Sequence, residues 1–212
     1  MTDARGRFLI ARRPPGKPLA GAWEFPGGKL DPGEARPAGL ARELREELGI
    51  EIRDPRPLMR VRHSYPFGEV LIDMWIVNRY HGDPRGLDGQ TLRWCAIAEL
   101  GGADLLPADR PLVRALRLPE RLTEAQSPAY QVSGVDVSAP RAGDPLRGAF
   151  CAGAAAALRA AANVDFIVLT EALPDSQLVA LCEAVCVPVF ARSVSLEAAW
   201  RFGATGVNAI PS

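Results

Sequence analysis

The sequence predicts an α/β chain in two parts: a layered α+β domain over residues 1–120, with a mixed sheet between helices, and a shorter region of βα units over 148–212. Three observations carry this prediction. Residues 1–120 read as strand, loop, strand, helix, three strands and helix, an order that suits a sheet covered by helices. Residues 121–147 turn polar and carry Pro128, Pro140 and Pro145, the composition of a linker. From Ala154 onward, helix-length and strand-length segments alternate regularly, which implies parallel βαβ units.

The elements follow in order. Arg7–Ala11 is a short apolar run suited to a strand, entered by the turn-like Asp3-Ala4-Arg5-Gly6. The Pro- and Gly-rich segment that follows predicts a loop, with a brief extended piece at Trp23-Glu24-Phe25. Pro37 suits a first helical turn, Leu40, Leu44 and Leu48 form an apolar stripe, and Gly49 is placed to end the helix. Pro57–Ser64 and Val70–Tyr80 read as strands of a hairpin turning at Tyr65-Pro66-Phe67-Gly68. A polar loop from His81 to Gln90 leads to a strand at Leu92–Ile97, and a helix is expected from Leu105-Leu106-Pro107 to about Leu116. In the second part the expected helices are Ala154–Ala162, Asp175–Val185 and Ser195–Phe202. The strands between and after them are Asp165–Thr170, Val187–Ala191 and Gly206–Ile210.

Composition excludes some functions. With 25 basic and 25 acidic side chains in 212 residues the formal charge is zero, which argues against binding nucleic acid or a membrane surface by bulk electrostatics. No export signal and no stretch of about 18 apolar residues is present, so a soluble, cytoplasmic protein is expected. Cys95, Cys151, Cys182 and Cys186 have no C-x-x-C spacing and sit in apolar surroundings, as reduced core cysteines do. His63 and His81 have no partner in the sequence and receive no catalytic role.

The chemistry concentrates between Gly27 and Ile50. Glu43, Glu46 and Glu47 stand at i, i+3 and i+4, so a helix would put three carboxylates on one face. Such like charges repel one another unless a cation sits among them, and a divalent metal is the obvious candidate. A solvated acidic helix is the plainer alternative, but it does not require Gly28 and Glu34 at their offsets.

Gly28, Glu34, Arg42, Glu43, Leu44, Glu46, Glu47, Gly49 and Ile50 match every fixed position of G-x5-E-x7-R-E-U-x-E-E-x-G-U, where U is aliphatic. The chain therefore resembles the Nudix hydrolases, and Trp23–Lys29, Gly86–Gln90 and Leu106–Pro111 extend the likeness toward the 8-oxo-dGTP diphosphatase (MutT-like) branch. The resemblance implies an enzyme that cleaves 8-oxo-dGTP to 8-oxo-dGMP and pyrophosphate, with a nucleoside triphosphate as substrate and no direct nucleic-acid or membrane partner. Alternatives are another nucleotide substrate, such as a nucleotide sugar, a dinucleotide or an ordinary dNTP, or a non-catalytic nucleotide-binding protein. It further implies Mg²⁺, with Mn²⁺ as a substitute, held by Glu43, Glu46 and Glu47 near the Gly28 carbonyl, with Asp88 as a loop ligand. Related enzymes often carry Glu where Asp88 stands, and Asp reaches one methylene less. Glu34 would pair with Arg42 and orient Glu43; Glu43 or a loop carboxylate would accept the proton from water. Substrate contacts are implied at Arg13, Glu24, Phe25, Gly27, Lys29 and Asp109. Arg13 would meet phosphate or sugar, and Asp109, unless it caps a helix, would meet the base, accepting from guanine donors or donating when protonated. Such domains begin with an extra apolar strand, whereas here about six residues precede the first one. No oligomeric state follows from the sequence.

The tail resembles the closing part of the thiamine-phosphate-synthase barrel, on Gly148–Gly153, Asp165–Thr170 and Val187–Ile210. A full barrel needs eight strands and about 200 residues or more, so the likeness implies a truncated, partial (β/α) barrel-like region. The family's phosphate loop would fall at Arg192-Ser193-Val194, which has no glycine. No synthase activity is expected there.

Overall fold

The computed structural model describes residues 1–123, 131–132 and 146–210. From the N-terminus run β1 (Phe8–Arg12), β2 (Trp23–Glu24), α1 (Arg36–Leu48), β3 (Glu51–Arg53), β4 (Arg56–Tyr65) and β5 (Gly68–Ile76). Then come β6 (Arg79–His81), β7 (Thr91–Cys95), α2 (Ile97–Leu100), α3 (Arg110–Ala115), β8 (Arg121–Leu122), β9 (Gln131–Val132) and β10 (Arg147–Cys151). The chain continues through α4 (Ala154–Ala160), β11 (Phe166–Leu169), α5 (Asp175–Ala184), β12 (Val189–Ala191), α6 (Leu196–Arg201) and β13 (Gly206–Asn208). Two compact units result: Met1–Arg56 with Trp75–Val113, and Pro57–Met74 with Arg114–Ser212.

In the first unit, β1 runs antiparallel between β2 and β7, with Phe8 opposite Cys95 and Ala11 opposite Glu24. The leucine stripe of α1 faces the core: Leu44 and Leu48 are 1% and 0% exposed and pack with Leu9, Ile50 and Val77. Burying each such leucine contributes on the order of 2 kcal/mol. The helix ends at Gly49, whose φ of 69° is left-handed and lets its N–H close on Arg45 O. Met1 belongs to the same core, and Thr2 N–H donates to Val77 O at 2.9 Å.

Three expectations change. The expected strand Val70–Tyr80 is two strands, β5 and β6, because β6 leaves the hairpin to pair antiparallel with β3, a short strand not among those expected. The helix expected from Leu105 starts only at Arg110. Residues 104–106 are already used by Trp23, whose N–H donates to Asp104 O and whose carbonyl accepts from Leu106 N–H, each at 2.8 Å. The strand expected to reach Ile97 stops at Cys95, where Ala96 N–H meets the Glu99 carboxylate at 2.6 Å and α2 begins.

The second unit is built on a six-stranded parallel sheet, in the order β8-β13-β12-β11-β10-β9. β11 is buried on both faces, as parallel strands covered on both sides are. Ile167 and Leu169 pack with Leu178 and Leu181, whereas Phe166 and Val168 pack with Leu122, Leu146 and Phe190. This half-barrel of parallel strands fits a partial barrel loosely. The hairpin β4–β5 belongs to this unit: Thr205 Oγ1 donates to Leu58 O at 2.5 Å, and Arg60 Nη1 donates to Glu183 O at 3.0 Å. Of the stretch expected as a linker, residues 124–130 and 133–145 lie outside the described residues. Cys95 and Cys151 are buried, but Cys186 is exposed, so it is no core residue. Among the described residues no helix is long and apolar enough to cross a membrane.

Candidate active site

Arg42 organises the acidic stretch. Its Nε and Nη2 donate to the two oxygens of Glu34 at 3.0 and 2.9 Å, and Nη2 also reaches Lys29 O at 2.9 Å. Nη1 donates to Glu43 Oε1 at 2.9 Å and to Glu46 Oε2 at 3.5 Å. One guanidinium thus ties the loop before α1, through a two-pronged carboxylate contact, to the middle and last turn of the helix. The pairing holds the Glu34 carboxyl below the usual range, chiefly through the Arg42 hydrogen bond.

Glu43 is fixed from a second side. A Cβ built on Gly28 would lie 2.0 Å from Glu43 Oε2, so the carboxylate occupies the space a side chain would take. The three carboxylates do not act as one group. Glu46 is 62% exposed and turned to Arg42. Glu43 stands one helical turn from Glu47 and acts on it electrostatically.

Glu47 is held above the usual carboxylate range, first by burial and then by the charges of Glu43, Asp88 and Glu24, with Lys17 opposing them. Among the described residues no hydrogen-bond donor meets its carboxylate. A carboxylate with no donor and three negative neighbours acting on it favours a cation nearby. Among the described residues no three His, Cys, Asp or Glu side chains converge closely enough to hold a metal ion between them. Mg²⁺ seldom uses an all-protein cage; it takes one or two carboxylates, keeps waters and binds phosphate oxygens.

Asp88 reaches this cluster through a loop docked on the end of α1. Arg85 and Leu87 N–H donate to Leu48 O and Glu47 O at 3.1 and 2.9 Å, satisfying carbonyls that a helix C-terminus leaves free.

Arg13 pairs with Glu24, which belongs to the same charge cluster, and its Nε donates to Pro18 O at 2.7 Å. Burial outweighs Arg13 at Glu24 and leaves that carboxyl above its ordinary range. Asp109 is 4% exposed and sits just before α3; its Oδ2 accepts from Phe25 N–H at 3.3 Å. Burial pushes its carboxyl up to about 7, with Glu24 adding to the rise and Phe25 and Arg13 opposing it. Gly27, in a left-handed φ of 150°, and Lys29, exposed, complete the loop.

The NUDIX domain profile matches residues 1–116, more than half of the chain. The chain belongs to the Nudix family. It is 38% identical over 110 residues to the CTP pyrophosphohydrolase of Escherichia coli (strain K12), covering 52% of this chain and 82% of the relative. With the 8-oxo-dGTP diphosphatase of the same organism it shares 32% over 115 residues, 54% of this chain and 89% of the relative. The MutT NUDIX hydrolase structure from Burkholderia pseudomallei is 30% identical with a TM-score of 0.48, covering 52% of this chain and 88% of that one.

The chain is therefore a Nudix hydrolase that acts on phosphoric anhydride bonds. Within its Nudix stretch the structure adds residues that the motif leaves unspecified. Gly39 stands where a Cβ would lie 2.7 Å from Glu34 Oε2. Gln90, nearly buried, binds Glu47 O through Nε2 at 3.1 Å and accepts from Asp88 N–H at 2.8 Å. Lys17 Nζ stands 3.8 Å from Asp88 Oδ2. Gly39 was detectable as a helix-interior glycine that costs about 1 kcal/mol against Ala; Lys17 left no signal, and Gln90 showed only as the end of the Gly86–Gln90 stretch, with no role attached.

Proposed function

We propose that this Nudix hydrolase is a divalent-metal-dependent nucleoside triphosphate pyrophosphohydrolase, releasing pyrophosphate and a monophosphate, with 8-oxo-dGTP as its substrate. The Arg42 clasp carries this reading: it holds Glu43 against Gly28 beside a Glu47 that has no donor and three carboxylate neighbours. Glu43, Glu47 and the Gly28 carbonyl would hold the ion, with Asp88 and Glu46 the more distant ligands. Bound Mg²⁺ or Mn²⁺ would neutralise phosphate charge and lower the pKa of an attacking water. Arg42 fixes the Glu43 rotamer, so that a carboxylate oxygen stays where a water proton is to be taken up. Asp88, on its docked loop, is the second proton acceptor.

At the base, Asp109 has a carboxyl that exchanges its proton near neutral pH. Charged, it accepts from the N1 and amino donors of a guanine; neutral, it also donates, and so matches the acceptor and amino donor of a cytosine edge. The second reading, CTP as substrate, rests on this and on the similarity to the CTP pyrophosphohydrolase. Raising the pH from 6 to 8 should therefore shift kcat/KM toward 8-oxo-dGTP relative to CTP. A ratio independent of pH, or one unchanged by Asp109→Ala, would rule out Asp109 as the base contact. The parallel sheet of the second unit is proposed as a scaffold for the β4–β5 hairpin.

The testing experiment measures pyrophosphate release with Mg²⁺ from 8-oxo-dGTP, dGTP, CTP, a nucleotide sugar and a dinucleotide. Highest kcat/KM for 8-oxo-dGTP supports the first reading and highest for CTP the second. No release from any of the five leaves only nucleotide binding.

A further inference from the structure

Arg42 and Arg13 are each committed to partners: Arg42 to Glu34, Glu43 and Glu46, and Arg13 to Glu24. The cation left to act on Glu47 among the described residues is Lys17. It stands on the loop 14–21, which is closed at its base from both sides: Arg13 N–H donates to Ala22 O at 2.9 Å, Gly21 N–H to Arg13 O at 3.0 Å, and Arg12 Nε to Gly21 O at 3.0 Å. Lys17 N–H turns back toward Pro14 O, and the ammonium stands over the acidic cluster 3.8 Å from Asp88 Oδ2. Its charge also acts on Glu24 and Glu47. Both members of the Lys17–Asp88 pair are about half exposed, 48% and 52%, so the contact is loose and exchangeable rather than structural.

We infer that Lys17 is the exchangeable counter-ion of the acidic cluster: in the metal-free protein its ammonium supplies part of the positive charge that a divalent ion brings, and the two compete. The inference rests on the metal reading above and makes Lys17 a competitor of that ion. Competition follows from charge and distance. A divalent ion at Glu43 and Glu47 would act on the same carboxylates as the ammonium beside Asp88, and like charges repel even when partly screened. The lysine stem is flexible enough to swing off, and its loop stays closed without it, since the bonds at the loop base use Arg12 and Arg13.

The test is Mn²⁺ binding to the full chain without nucleotide, read as the loss of the free Mn²⁺ electron paramagnetic resonance signal. Lys17→Met should bind Mn²⁺ about three- to tenfold more tightly than wild type at low salt. Lys17→Arg should bind as wild type does, and 0.5 M KCl should shrink the difference between wild type and Lys17→Met. Equal or weaker binding by Lys17→Met would overturn the inference while leaving the metal reading intact. Glu47→Gln identifies the source of a failure. If wild type binds no Mn²⁺, or Glu47→Gln binds it as tightly as wild type, the metal reading itself falls and the role of Lys17 with it.

Discussion

At Gly28 the absent side chain leaves the volume that the Glu43 carboxylate fills, and no left-handed backbone is involved. Gly28→Ala should therefore displace Glu43 and lower kcat by about two orders of magnitude, with little change in Tm, since the loop packs few apolar groups. Activity within threefold of wild type would show that Glu43 has room to spare. Asp109 gives a prediction of the opposite kind, about stability. Its carboxyl ionises at 3.8 in an unfolded chain and at about 7 in the fold. Between those values the folded state holds more protons, so the group's stabilising contribution is complete below about pH 4 and is lost as pH rises toward 7. Asp109→Asn has no proton to lose. Its Tm relative to wild type should rise from pH 4 to 7 and then level off, and a flat difference across that range would contradict the buried carboxyl. The residues of the Nudix stretch were legible because their spacing is local. Lys17 and Gln90 were not, since a contact across about 40 or 70 residues imposes no periodicity on either segment.

The end of α1 is the element on which the site depends. Its last carbonyls accept from Arg85, Leu87 and Gln90, so the loop that caps the helix is also the loop that delivers Asp88 beside Glu47. Gln90→Ala removes one bond to Glu47 O and one to Asp88 N–H, each worth about 1 kcal/mol. It should speed amide exchange at Asp88 and raise the Mg²⁺ concentration needed for half-maximal rate several-fold. Unchanged exchange at Asp88 would mean the loop is held by other contacts. The helix itself was legible: the leucine stripe, Pro37 and Gly49 mark its body and both ends. Strand partners were less so. β5 and β6 form one apolar run in sequence, and the change of partner between them lies in β3, a three-residue strand too short to show a pattern.

At the scale of the whole molecule, the sequence suggested a boundary near residue 120, whereas Pro57–Met74 groups with Arg114–Ser212. The hydrogen bond from Thr205 to Leu58 O spans 147 positions, and nothing local to either residue announces it. A chain ending at residue 116 would lose Thr205, which donates to Leu58 O, and Glu183, whose carbonyl accepts from Arg60. It should melt several degrees lower than the full chain and bind more hydrophobic dye, and an unchanged Tm would show that the hairpin needs no support. The alternation of strands and helices after residue 154 was legible because parallel strands are continuous apolar runs, whereas β10 was missed, its glycine, alanine and cysteine lacking the β-branched residues that mark a strand.

In the proposed mechanism Glu43 and Glu47 hold a divalent ion that drives hydrolysis of a nucleoside triphosphate. It is tested most directly by pyrophosphate release from 8-oxo-dGTP under Mg²⁺ titration, comparing wild type with Glu47→Gln and following folding by circular dichroism. Expected are Mg²⁺-dependent release by wild type and a kcat lower by at least about a hundredfold in a folded Glu47→Gln protein. An unchanged rate in Glu47→Gln, or wild-type release that persists after chelation of divalent ions, would contradict it.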